Sequence, residues 1–192
     1  MKMNTKKSII AVALGLSIIG SSLPLSGQAF AKDVSAKTNQ TAAVQRTDAL
    51  NNGVFPVGKG YKFRNNFGEK RTWTPQGRQN RPHQGIDISA PKGTPIYSAT
   101  DGKIIRYGWN QYGGWRITIK SGNYTLYYAH MDRYAKGLSN GATVKKGQLI
   151  GYVGKTGYGP VGTQGMKAPH LHFGLFKNGS LTNPFPYLKK WE

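Results

Sequence analysis

The residues of this chain best suited to chemistry are its four histidines and one aspartate. His83, His130, His170 and His172 are the only histidines in 192 residues. His170-Leu171-His172 is an i, i+2 pair. On a strand both imidazoles would point to one face and Leu171 to the other. His83-Gln84-Gly85-Ile86-Asp87 is an i, i+4 pair, and in extended backbone its His and Asp would again share a face, with Ile86 and Ile88 on the opposite, core-like side. Gly85 leaves room between the two polar groups. Two His with one carboxylate is a ligand set of catalytic zinc, leaving one position open for water or substrate. Spacing alone does not say which histidines would be ligands. A zinc hydrolase also needs an acid or base near the metal-bound water and a donor for the developing oxyanion. The helical His-Glu-x-x-His arrangement is absent, so histidines off the metal would have to fill those roles. Four His and one Asp supply three ligands and two catalytic imidazoles with none left over. A lone strand histidine is ordinarily just a hydrogen-bonded residue; the joint pattern is what points to a site.

The elements that must hold these residues read as strands. Apolar residues alternate in short runs between turn signals about 8–12 residues apart, which predicts an antiparallel, mainly β domain. The runs are 94–99, ending at Asp101-Gly102 as a hairpin turn pair; 103–109; 115–120 and 124–130, flanking Ser121-Gly122-Asn123 as a three-residue hairpin loop; 148–153; and 171–176 before Asn178-Gly179. Tyr112, Trp115 and Tyr158 sit in or beside Gly-rich segments and are candidates for lining a peptide groove, although aromatics on strands also make cross-strand pairs. Asp132, two residues past His130, is either an orienting partner or a solvated turn residue.

Composition bounds the rest. The chain carries 27 Lys+Arg against 7 Asp+Glu, a formal charge of +20, and no Cys. The absence of Cys excludes a disulfide framework, a thiolate zinc site, a Cys nucleophile and a lipidated N-terminal Cys. Glu occurs only at positions 69 and 192, which argues against a paired-carboxylate mechanism. Lys2, Lys6 and Lys7 precede a mostly apolar run, Ser8 to Gly20, too short to span a membrane, and Ala29-Phe30-Ala31 offers a small-x-small cleavage site. Residues 1–31 are therefore expected to be a signal peptide, residues 32–55 a polar linker or short pro-like segment, and 56–188 the folded domain. Cleavage would leave a secreted, extracellular or wall-bound chain of charge +17, with no stable membrane insertion and no nucleic acid as partner. Its basic surface would suit non-specific contact with anionic wall polymers. A monomer is the default expectation.

The strings His83-Gln84-Gly85-Ile86-Asp87-Ile88, Tyr128-Ala129-His130-Met131 and Pro169-His170-Leu171-His172-Phe173 resemble the motifs of the lysostaphin-type zinc metallopeptidases, in the same order. The connecting phrases 93–96, 101–104 and 144–151 are similar too, and the resemblance covers about residues 56–188. It implies a β-sandwich-like domain of duplicated hybrid motif, with long Gly-rich loops around a groove. It also implies one Zn2+ per chain on His83, Asp87 and His172, with His130 and His170 as the catalytic, non-ligand histidines. The implied activity is hydrolysis of peptide bonds in bacterial peptidoglycan. Glycyl-glycine-cleaving members carry a Tyr shortly before the first zinc His; residues 74–82 here contain none. The segments 108–117 and 157–160 look instead like the L-Ala–D-Glu endopeptidase branch, which cuts the stem peptide. A further departure is Gly174, where many members have Glu. Competing expectations are a crossbridge endopeptidase, and a catalytically inactive scaffold of the same fold that binds wall or activates another hydrolase. In some relatives an Asn fills the open metal position in a latent form; Asn51, Asn52, Asn65 and Asn66 are candidates, although ordinary loop roles suit them too. Equal activity with and without residues 32–55 would exclude self-inhibition by that segment.

Overall fold

Apolar residues at every second position give this chain strands with one buried face, and the pairing of those strands decides where the histidines meet. The computed structural model describes residues 49–71 and 81–192. The expected signal peptide, the linker as far as residue 48 and the Tyr-free segment as far as residue 80 lie outside the described residues.

Among the described residues the strands are β1 (Lys70–Arg71), β2 (Arg81–Pro82), β3 (Ile86–Ser89), β4 (Pro95–Tyr97), β5 (Gly102–Asn110) and β6 (Gly114–Ser121). They continue with β7 (Tyr124–Tyr134), β8 (Thr143–Val144), β9 (Leu149–Val153), β10 (His170–Lys177) and β11 (Ser180–Thr182), and one helix follows, α1 (Phe185–Trp191). β1 and β2 form a separate antiparallel ribbon. The other nine strands make one antiparallel sheet in the order β11-β10-β7-β6-β5-β8, with β3 added on β10, β9 on β7 and β4 on β9. The fold is mainly β and antiparallel, as the turn spacing predicts. No described helix is long and apolar enough to cross a membrane.

The core face is set by alternation. Leu171, Phe173 and Leu175 of β10, Ile86 and Ile88 of β3, and Leu126 and Tyr128 of β7 are all fully buried. The residues between them belong to the other face, which carries the site. The β10–β11 hairpin turns at Asn178-Gly179, both with positive φ (51° and 83°), the pair a two-residue type I′ turn requires.

Three expectations need correction. Asp101-Gly102 does not close a hairpin, because β4 pairs with β9 while Gly102 opens β5 and pairs with Val144 of β8. The β6–β7 loop is two residues, Gly122-Asn123, since Ser121 and Tyr124 already pair. The packed region also begins before Pro56. Leu50 is fully buried, its carbonyl accepts the Trp191 indole N–H at 3.0 Å, and Val54 N–H donates to Ala99 O. At the other end Leu188 and Trp191 of α1 are buried, so the packing continues past residue 188.

Candidate metal centre

Pairing of β3 with β10 sets His172 opposite Asp87, and the flanking pairs Leu171↔Ile88 and Phe173↔Ile86 anchor that register in the core. A slip of one residue between the two strands would turn one of the two polar groups toward the core face. His83 comes from the bend that precedes β3 rather than from the strand itself. It reaches the same point because Gly85 lets the chain pass close: a Cβ there would lie 2.5 Å from Phe173 O and 2.7 Å from His172 Nε2. Gly85 thus makes the room that its place between His83 and Asp87 suggested.

Three ligand atoms converge. His83 Nε2, His172 Nδ1 and Asp87 Oδ1 stand 3.0 Å from one another along each edge of a triangle. Tetrahedral zinc with bonds of about 2.0–2.1 Å separates its ligands by about 3.3 Å, so a small relaxation accommodates the ion. The rest of each group is tied down. His83 Nδ1 donates to Asn66 O at 2.8 Å, which leaves Nε2 as the lone-pair nitrogen facing the site. Asn66 also accepts Asp87 N–H through Oδ1 at 3.3 Å, so one buried asparagine braces two of the three groups. Arg71 Nη2 donates to Asp87 Oδ2 at 2.7 Å and Lys167 Nζ lies 3.6 Å from the same oxygen, which reserves Oδ1 for the site. Burial pushes the Asp87 carboxyl up, but the imidazoles of His172, His83 and His170 gathered around it outweigh that. The carboxyl is held well below the usual range and is ionised.

His130 reaches the site through an irregularity. Tyr128 and Met131, three residues apart on β7, both pack in the core, which strict alternation forbids. The pairs Ile117↔Tyr128 and Trp115↔Met131 set Ala129 and His130 together against the single residue Arg116, a β-bulge. His130 has φ 62°, and this left-handed backbone turns its ring to the Ala129 side instead of into the core. Thr156 secures the bulge. Its carbonyl accepts His130 Nδ1–H at 2.7 Å, its hydroxyl donates to Met131 O at 2.6 Å, and the same hydroxyl accepts Trp115 N–H at 3.1 Å. Burial, with the neighbouring His170 and His172, pushes the His130 imidazole down to about 3, so it is neutral with its lone pair on Nε2.

His170 stands beside it, ring centroids 4.7 Å apart. Its Nδ1 donates to Ala168 O at 2.8 Å. Its Nε2 is 3.9 Å from Asp87 Oδ1, and is buried without a hydrogen-bond partner among the described residues. Such an orphan marks a place for a further group. The centre can therefore hold a divalent cation on two nitrogens and an oxygen, beside two further imidazoles, His130 and His170.

A cavity of about 580 Å³ opens over the centre, lined among others by His83, His130, His172, Tyr112 and Tyr158. The Tyr158 ring stacks on His130 at 5.3 Å. Trp115 does not line the cavity; it packs edge-on against Trp109 at 5.3 Å and Tyr134 at 5.8 Å. Asp132 is an ion-pair residue, 3.0 Å from both Lys92 and Arg133. Sequence reasoning passed over Arg71, Thr156 and Lys167. Arg71 is 16 positions from Asp87, and no local pattern links the two.

Residues 81–184 match the family model described as Peptidase family M23. Over 142 residues the chain is 43% identical to the L-Ala–D-Glu endopeptidase of Bacillus subtilis (strain 168), covering 71% of this chain but only 42% of that protein. In structure it is similar to the antimicrobial peptidase lysostaphin from Staphylococcus simulans, with TM-score 0.58 and 30% identity, covering 75% of this chain and 56% of that one. It is also similar to a zinc-containing peptidase from Vibrio cholerae, with TM-score 0.55 and 33% identity, covering 67% of this chain and 37% of that one.

Proposed function

The chain belongs to peptidase family M23, and from that membership and the geometry of its metal centre we propose that it is a secreted zinc endopeptidase that hydrolyses bacterial peptidoglycan at the L-Ala–D-Glu bond of the stem peptide. The observation that carries the reading is the triangle of His83, Asp87 and His172 ligand atoms beside two imidazoles fixed through Nδ1. The choice of bond is supported by the 43% identity to an L-Ala–D-Glu endopeptidase and by the absence of Tyr from residues 74–82. Export rests on the signal-like residues 1–31, and the positive charge that remains suits an anionic wall.

In this reading His83, Asp87 and His172 hold one zinc ion, which when bound would lower the pKa of water and polarise the substrate carbonyl. The protein supplies the rest. The cavity admits an extended peptide, and the apolar faces of Tyr112 and Tyr158 bound its course. His130 and His170 point their Nε2 atoms inward because backbone carbonyls occupy Nδ1. Imidazoles so oriented take a proton from the attacking water and return one to the leaving amine. Their protonated forms donate to the oxygen that gains charge as the carbonyl is attacked.

Zinc-loaded protein should release new amino termini from purified peptidoglycan, chelation should stop it, and mass spectrometry should find fragments beginning with D-Glu. Zinc binding with no new amino termini would favour an inactive scaffold instead, and fragments ending in glycine would favour a crossbridge enzyme.

A further inference from the structure

Charge in the cavity is one-sided. Lys70, Arg71, Arg81 and Lys167 line its wall, and among the described residues no carboxylate does; Asp87 lies beneath it in the metal centre. Arg71 and Lys167 already face Asp87 Oδ2. Arg81 forms no ion pair among the described residues. The segment 72–80 that joins β1 to β2 contains no acid either. The register of the β1–β2 ribbon puts Arg81 directly opposite Arg71, so two guanidinium side chains share one face of a two-stranded pair. Like charges directly opposite one another destabilise such a pair unless an anion lies between them or beside them. The Arg81 guanidinium is held at the cavity wall, 4.8 Å over the centroid of the Tyr112 ring.

We propose that Arg81, steadied by Tyr112, is a specificity-determining residue that binds a carboxylate of the substrate. The substrate class is then a peptide with a free carboxylate next to the bond that is cut. This rests on the stem-peptide reading above. A D-glutamate whose side-chain carboxyl continues the peptide keeps its α-carboxylate free, on the carbon that bears the scissile nitrogen. A glycine crossbridge offers no such group. The planar guanidinium fork matches a carboxylate with two parallel N–H···O bonds, a geometry that lysine does not reproduce.

Two peptides, L-Ala–D-Glu–L-Lys linked through the glutamate side chain with the α-carboxyl free or as a primary amide, separate the possibilities. Their cleavage gives KM and kcat, and versions N-methylated at the scissile amide give binding to the zinc-loaded protein by fluorescence anisotropy. The free acid should bind roughly tenfold to a hundredfold more tightly than the amide, the range expected of a charged hydrogen bond. Arg81→Gln and Arg81→Ala should abolish that preference by raising KM for the acid while kcat changes little. Arg81→Lys should restore only part of it. Arg81 is exposed, and melting curves on each variant check that the fold is kept. Equal binding of acid and amide by the unaltered protein, or a preference that survives Arg81→Ala, would overturn the proposal. If neither peptide is cleaved but the binding preference holds, the bond assignment fails and the carboxylate site stands.

Discussion

His172 and His130 turn different nitrogens toward the same cavity, and that separates two kinds of loss. His172 Nδ1 stands 3.0 Å from Asp87 Oδ1 and from His83 Nε2, whereas His130 Nδ1 is committed to Thr156 O. His172→Ala removes one of three converging atoms, so bound zinc and activity should fall together, as metal analysis beside a turnover assay would report. In the proposed mechanism His130→Ala removes a proton carrier but no ligand atom. It should keep most of the zinc while turnover drops about a hundredfold to ten-thousandfold. An empty site in His130→Ala would show that the ligand roles are misassigned. This division was only half legible beforehand. The i, i+2 spacing of His170 and His172 is enough to set both on one face of a strand, but spacing is blind to which ring nitrogen a backbone carbonyl will take. The same blindness hid Arg71, which acts on Asp87 from a ribbon remote in sequence.

At the level of elements, the β3–β10 register and the β7 bulge bring the centre together, and they differ in how readable they are. The first follows from alternation: Ile86, Ile88, Leu171 and Phe173 must face the core, so Asp87 and His172 must face away from it. The second does not. Regular alternation from Tyr128 would turn His130 into the core, and only the pairing of β6 against β7, with Thr156 tying the irregular segment, reverses it. The failed Asp101-Gly102 hairpin has a related cause, because a turn signal reports local backbone preference and not which strand will be the partner. Gly85, just before β3, lies close against β10. A side chain at 85 would press on a backbone carbonyl of β10 and on the His172 ring, neither of which has a flexible end to move aside. Gly85→Ala should lower stability by about 1–3 kcal/mol and weaken zinc binding more than that alone explains. Chemical denaturation of the metal-free protein gives the first quantity and a zinc titration the second; an unchanged zinc affinity would mean that the ring tolerates the intrusion.

Across the whole molecule the charge of +20 and the buried histidines act in the same direction as pH falls. Burial first, then the neighbouring histidines, lowers His130 to about 3, and burial lowers His172 despite the opposing pull of Asp87. Both therefore have folded values below the unfolded value of 6.5. Between those values the unfolded chain binds more protons than the folded one, so their contribution to stability is complete above about pH 6.5 and is lost progressively as pH falls. Asp87, also lowered in the folded state, contributes stability above its unfolded value near 4 and loses it below, so it extends the decline instead of offsetting it. Every proton taken up also adds to an already positive chain and raises self-repulsion. The metal-free protein should thus melt at steadily lower temperature from pH 7 to pH 4, and His130→Gln, which cannot titrate there, should show a shallower decline. Zinc should be released over the same interval, because its ligand nitrogens must be unprotonated. Melting temperatures that stay level down to pH 4, or an identical slope in His130→Gln, would mean that the buried imidazoles do not govern acid stability.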